Sequence, residues 1–397
     1  MDFIKYRFIY YPVLFIAGVF LVDKIFLIPE VRKNFIQPGG MMYYSQRLLQ
    51  LGDLEKGLIE NRDRKVAVVM GDSRSLALGN IAAWFIGKKD WYLYNFAGPQ
   101  AVPAYYYFLT EKIFSKRLRP EYLIIGLSPD GFNKNSSYFA SPVMSMGVDG
   151  RFVEKYKSQI LKKDMESYWK TRRYALVGIN FSLRTLLKRT FSSIGMDTAD
   201  KSKEIPVHMF PLVTGFINKS YMGTPERKNE FIKVFLNSPA DNLDQYSLQK
   251  SPRVKLLKLS DGANYSWFGT MGHTAMKAET KNLVSLYLKF YEVSEVQLYF
   301  FRQTLKAAND AGVKVIVFWP RANPYLIEVY KNEPRIYTLW EEIEKISKEE
   351  GAVAVDLNSH PGTSCSNFYD ASHLSIVCYP GIARTLLEIF EKKQGPG

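Results

Sequence analysis

The residues best suited to chemistry lie at opposite ends of the chain. Gly71-Asp72-Ser73-Arg74 follows an apolar, β-branched run, Val66–Met70, and precedes an apolar, helix-compatible stretch, Leu76–Ile86. A serine at the carboxyl end of a strand stands where open α/β sheets bind ligands, and a helix starting there offers N–H groups to a developing oxyanion. The second piece is Tyr369-Asp370-Ala371-Ser372-His373. An Asp three residues before a His can accept from the ring Nδ1, fix the tautomer and leave Nε2 facing a serine. The order Ser73, Asp370, His373 therefore supplies nucleophile, orienting acid and base for acyl transfer. Each motif alone is weak, and the weight lies in the combination. The plainer alternatives are helix caps: Ser73 as an N-cap, Asp370 and His373 capping the last helix.

Other polar residues are read more modestly. Asp72 suits a turn. Arg74 and Arg321, both at predicted strand ends, suit substrate binding by a bidentate grip on an anionic headgroup, with surface ion pairing as the plainer fate. His208, His273 and His360 have no partner pattern. No Cys/His cluster has zinc-ligand spacing, so neither metal nor cofactor is expected. The two cysteines, Cys365 and Cys378, flank Asp370 and His373. They are either a disulfide stapling that loop outside the cytoplasm or two buried thiols.

The elements that must position these groups alternate. Val66–Met70, Trp91–Phe96 and Tyr122–Gly126 read as strands, with helical stretches at Leu76–Ile86 and Ala101–Phe114 between them. Residues 133–281 break the pattern. It resumes with a long helix Asn282–Ala311, strand Val313–Phe318, helix Ile336–Glu350, strand Ala352–Leu357 and a last helix Ile382–Lys392. Strand–helix alternation predicts a five-stranded parallel, doubly wound sheet between helical layers, with a large, mainly helical insertion. The domain reading is an anchor (1–30), a linker and amphipathic helix (31–64), a first core half (65–132), the insertion (133–281) and a second core half (282–397). In the linker helix Leu48, Leu49, Leu51, Leu54 and Leu58 form the apolar side.

The chain has 397 residues, 47% of them hydrophobic, enough for a full core. Its formal charge is +14, and residues 151–260 concentrate it, with 21 Lys and Arg against 10 Asp and Glu. That excess fits a solvated face, or a surface for an anionic glycan, polymer or lipid headgroup. No nucleic-acid motif accompanies it. Phe8–Val22 is an uninterrupted apolar run rising about 22 Å, and extension to Pro29 reaches about 33 Å, taking in Asp23 and Lys24. With no small-residue cleavage site after it, the run reads as an uncleaved transmembrane signal anchor, with a buried core helix as the alternative. Lys24, Arg32 and Lys33 offset Lys5 and Arg7, so charge does not orient it.

These blocks resemble the SGNH (GDSL-type) hydrolase superfamily. Gly71-Asp72-Ser73 resembles its first block, Gly98 its second, Gly126–Asp130 lies where the third belongs, and Asp370–His373 resembles the fourth. The likeness covers residues 65–130 and 282–392 and implies a flavodoxin-like, three-layer SGNH fold. Ser128-Pro-Asp-Gly-Phe132 is similar to the D-alanyl transfer protein of teichoic-acid biosynthesis, and Asn282–Arg321 to the alginate O-acetyltransferase group. The resemblance implies a membrane-anchored, outward-facing (periplasmic) acyltransferase working on a cell-envelope polymer beside a membrane-bound O-acyltransferase. It assigns the oxyanion to the backbone N–H groups of Ser73 and Gly98. One departure is that Gly126-Leu-Ser-Pro-Asp lacks the Asn of the hydrolases' third block, with Asn133 too far along to be equated with it and Ser128 a possible substitute donor. Losing one donor costs on the order of 10²–10³ in rate, so slow hydrolysis is expected. An esterase or lipase is the first alternative, and a catalytically silent, membrane-tethered glycan-binding scaffold the second.

Overall fold

A computed structural model of the chain describes residues 7–28, 39–136, 139–175, 261–263, 267 and 271–392. Five strands form one sheet: β1 (Lys65–Met70), β2 (Trp91–Asn95), β3 (Tyr122–Gly126), β4 (Lys314–Trp319) and β5 (Val353–Asp356). All pairings are parallel and the order is β2-β1-β3-β4-β5, the flavodoxin-like order expected. The chain reverses direction across the sheet between β1 and β3, so the carboxyl ends of those strands border the crevice where such sheets bind ligands.

Alternation along each strand divides the core in two. Val66, Val68 and Met70 join one cluster with Leu123, Ile125, Val315 and Val317, while Ala67 and Val69 join the other with Leu93, Ile124 and Ile316. The helices Pro103–Phe114, Glu295–Asp310 and Pro334–Glu349 cover the first face; Asn80–Phe85 and Tyr379–Lys392 cover the second. Strands buried on both sides need apolar residues at every position, which is why the runs read as continuous rather than alternating. Helix spacing follows the same logic. Ile336, Leu339, Ile343 and Ile346, three and four apart, face the sheet.

Several expected boundaries move. Leu76–Ile86 is not one helix: a single 3₁₀ turn at Ser73–Ser75 comes first, and the helix begins only at Asn80, because Gly79 takes the extended N-cap conformation. Asn282–Ala311 is also broken. The helix His273–Leu283 runs into a wider turn, Val284–Leu288, the backbone reverses at Phe290 with φ +51, and Ser294 caps a new helix by accepting from Gln297 N. Pro324–Asn332 is a helix that hydrophobic spacing did not reveal. In Gly39–Glu60, Leu51, Leu54 and Leu58 are buried as expected, but Leu48 and Leu49 face outward.

Described parts of the insertion are helical at Phe139–Gly147, Gly150–Lys155, Lys162–Arg173 and His273–Leu283. Residues 176–260 of the insertion, with His208 and just over half of its basic excess, lie outside the described residues. Among the described residues no helix is long and apolar enough to cross a membrane, so the expected spanning helix is not met by that measure. The apolar run does form a helix, Arg7–Ile25, whose Leu14, Phe15, Ile16 and Leu21 are exposed.

Candidate active site

The Ser73 turn is built by close approach. Val66–Met70 ends at Gly71, where a Cβ would stand 2.2 Å from Ser75 Oγ and 3.1 Å from the Gly126 carbonyl. Only glycine lets the ends of β1 and β3 meet there. Asp72 caps the turn, its Oδ1 accepting from Arg74 N at 2.9 Å. Asn95, buried at the end of β2, gathers the next carbonyls: its Nδ2 donates to Ser75 O (2.8 Å), Leu76 O (3.2 Å) and Leu78 O (2.8 Å). Tyr379 fastens the turn to the last helix by donating its hydroxyl to Arg74 O at 2.8 Å. Ser73 itself stays half-buried and reachable.

The chain brings the distant motif onto this turn. Ser73 Oγ lies 2.7 Å from His373 Nε2. His373 Nδ1 lies 2.8 and 2.7 Å from the two carboxylate oxygens of Asp370. With the proton on Nδ1, the ring donates to Asp370 and accepts from the serine hydroxyl, which is the polarity nucleophile activation requires. Asp370 Oδ1 also accepts the backbone N–H groups of Ser372 (2.7 Å) and His373 (2.8 Å). Burial pushes the Asp370 carboxyl up, but the His373 charge, the ring hydrogen bond and these two N–H groups outweigh it and hold it below the ordinary carboxylate range.

The base-bearing loop is held from several sides. Cys365 and Cys378 are disulfide-bonded, closing a loop around both residues, so the disulfide alternative holds. Asn323, fully buried, donates from Nδ2 to Ala371 O (2.6 Å) and Thr280 Oγ1 (3.1 Å). Glu279 accepts Ala371 N at 3.4 Å, and burial raises its carboxyl above the usual range. Trp267 lies against the imidazole with ring centres 4.4 Å apart, and its carbonyl accepts Ile376 N at 2.9 Å. None of Trp267, Glu279 and Asn323 was singled out from sequence. They come from separate elements, and no local spacing relates them to His373. The one usable signal was Asn323-Pro324, an N-cap followed by an N1 proline.

Three expected site residues are placed differently. The Arg74 guanidinium is buried, donating Nη1 to Asp72 Oδ2 (3.2 Å), Nη2 to Asp130 Oδ2 and Nε to the Ser372 carbonyl (3.3 Å). It braces the turn between two acids and the histidine loop, since a buried carboxylate pair demands a cation. Burial still raises the Asp130 carboxyl above its usual range despite Arg74. Ser128 donates its hydroxyl to Asp72 Oδ2, so it is no oxyanion donor here. The Gly98 N–H donates to Gly71 O at 3.1 Å, because the Ala97–Gln100 loop folds back on β1 with Arg47 Nε donating to Ala97 O at 2.8 Å. Of the expected donors only the Ser73 N–H meets no acceptor among the described residues. Arg321 donates to Thr363 O at 2.6 Å and is half-buried. Asn133 is structural, its side chain held by Tyr287 O and Glu292 N.

The model of the family described as "Protein of unknown function (DUF1574)" matches residues 3–204 and 221–390. No curated protein matches the chain.

Proposed function

The chain belongs to that family, and we propose that it is a serine acyltransferase of the SGNH type, tethered by its N-terminal helix. One observation carries the reading: Ser73, His373 and Asp370 stand in hydrogen-bond sequence at 2.7 and 2.7–2.8 Å across 300 residues of chain. Helix capping does not explain an imidazole bridging a serine and a carboxylate.

In the proposed reaction Ser73 Oγ attacks an ester carbonyl while His373 Nε2 takes its proton. The imidazolium, steadied by Asp370, returns that proton to the leaving alkoxide, and acyl-Ser73 remains. An acceptor hydroxyl then gives its proton to His373 and attacks the acyl carbon; Ser73 departs and recovers the proton. The acceptor favoured is a hydroxyl of a cell-envelope glycan or polymer. Supporting this over water is the likeness to anchored acyl-transfer proteins; the sparse oxyanion site, whose Gly98 and Ser128 donors are engaged elsewhere, slows either acceptor alike. A missing donor slows acyl transfer on the order of 10²–10³-fold, and a membrane-bound O-acyltransferase partner would complete the site. An esterase is the second reading, favoured by the accessibility of Ser73 to solvent.

The disulfide supports an oxidising, extracytoplasmic location. The exposed apolar side chains of Arg7–Ile25, which rises about 28 Å, support insertion into a bilayer. The test is covalent labelling of the full chain in micelles with a fluorophosphonate, beside Ser73→Ala and His373→Ala. Labelling lost in both variants upholds the activated serine, and added polyol or glycan that speeds acyl release identifies a transferase. A folded wild type that stays unlabelled both alone and beside a membrane-bound O-acyltransferase overturns the reading and leaves the tethered scaffold.

A further inference from the structure

The helix Arg7–Ile25 ends against the domain. Asp23 is buried, and Lys24 Nζ donates to the Arg173 carbonyl while lying 4.8 Å from the centre of the Tyr174 ring. This contact ties the end of the apolar helix to the end of another, Lys162–Arg173. That second helix buries Asp164, Tyr168 and Thr171. Those positions are four and three apart, so one stripe faces the protein and positions 162, 166, 169, 170 and 173 share the opposite side. Lys162, Lys163, Glu166, Trp169, Lys170 and Arg173 are exposed, and Tyr174 follows, exposed as well. The open face thus carries three cations, with Lys163 a fourth at its edge, one anion and an indole.

We infer that the open face of Lys162–Arg173 rests on anionic lipid headgroups of the membrane entered by Arg7–Ile25, an inference that rests on the anchor reading. Cations near an anionic leaflet each gain about 1 kcal/mol, and Trp and Tyr favour the headgroup zone. A soluble polyanion would match the charge too. Lipid is favoured because Lys24 fastens this face to the helix end, and because Trp169 and Tyr174 stand exposed among the cations. The contact also has a consequence for the catalytic end of the sheet. Lys162–Arg173 packs on Phe139–Gly147. A Cβ on Gly147 would lie 3.0 Å from the Tyr44 ring, and one on Gly98, beside the Ser73 turn, 3.2 Å from it. Through Phe139–Gly147, Tyr44 and Gly98 the lipid-facing helix is thus linked by contacts to the Ser73 turn.

The test uses the full chain with vesicles of phosphatidylcholine alone or containing roughly a third phosphatidylglycerol, first by flotation, then by quenching of Trp fluorescence with lipids brominated just below the headgroup. The Trp169 contribution is the difference between wild type and Trp169→Phe. The expected result is flotation with both vesicles and Trp169 quenching only with the anionic ones, falling about fivefold for each of Lys162, Lys163 and Lys170 changed to Gln. Flotation without Trp169 quenching overturns the headgroup contact and leaves the anchor standing. Equal quenching in both lipids, unchanged by the Gln variants, overturns its electrostatic basis. Suppression of quenching by a soluble polyuronate at low concentration assigns the face to a polyanion and overturns the lipid assignment. Absence of flotation with either vesicle overturns anchor and contact together.

Discussion

Asn323→Ala tests whether the histidine loop is positioned from a distance. Asn323 touches none of the reacting atoms, yet it caps Pro324–Asn332 by accepting Leu326 N at 3.0 Å and pins Ala371, next to Asp370, at 2.6 Å. Removing the cap costs about 1 kcal/mol. Leaving the buried Ala371 carbonyl without its donor adds about 1–3 kcal/mol. Urea unfolding of the full chain in micelles should therefore lose about 2–4 kcal/mol, summing those two costs. The labelling rate at Ser73 should fall about 10²-fold, the cost of a 1 Å misplacement of a catalytic group. Asn323→Asp separates the parts. It keeps the capping oxygen, worth about 1 kcal/mol, but sets a buried carboxylate against the Ala371 carbonyl, so it should be no more stable than Asn323→Ala and no faster to label if the donor to Ala371 matters more than the cap. Unchanged labelling in a destabilised Asn323→Ala would refute the reasoning, because the loop would then hold its geometry without that bond.

Three further outcomes follow from the same geometry. Breaking Cys365–Cys378, by reductant or by Cys365→Ser with Cys378→Ser, should cost about 3 kcal/mol for a loop of this size, and labelling should decline before the sheet's circular dichroism does. Arg74→Gln should destabilise by about 3–5 kcal/mol, since it strands two buried acids, and Asp130→Asn in that background should restore part of the loss in a double-mutant cycle. The Asp370 carboxyl is held below its unfolded value, so it stabilises the fold above that value and the contribution is lost as pH falls through the folded one. The stability gap between wild type and Asp370→Asn should therefore be flat from pH 7 to about 5 and close below about pH 4, measured by urea titrations across pH.

Much of the sheet was legible because β1 to β4 are buried on both faces and therefore written as continuous apolar runs, while the edge strand β5 buries only Val355; Tyr122–Gly126 appears where hydrophobicity alone put it. The triad was legible for a different reason, since Asp-x-x-His and Gly-Asp-Ser each carry local geometry that survives without tertiary context. Helix starts were less so. Nothing in Leu76–Gly79 distinguishes a pause from a first turn until Asn95 claims the carbonyls of Ser75, Leu76 and Leu78. The roles of Arg74, Ser128 and Gly98 were misread because each is decided by a partner far away: Asp130 for Arg74, the Asp72 carboxylate for Ser128, and the returning β1 end for Gly98. A charged or hydroxyl group at a strand end is equally suited to ligand or scaffold, and only packing chooses. Trp267, Glu279 and Asn323 carry no periodic signal at all.

The 300 residues between Ser73 and His373 also set a clock. β3 and β4, neighbours in the middle of the sheet, lie on opposite sides of the insertion in sequence. The loop carrying Asp370 and His373 is made about 300 residues after the Ser73 turn. At about 5–20 residues per second, Ser73 would exist on the order of 15–60 s as an ordinary alcohol before its base is synthesised. Under the proposed function, a nascent chain is thus chemically inert until the Asp370–His373 loop has been made. Reactivity then switches on in a single event, when that loop closes over the Ser73 turn.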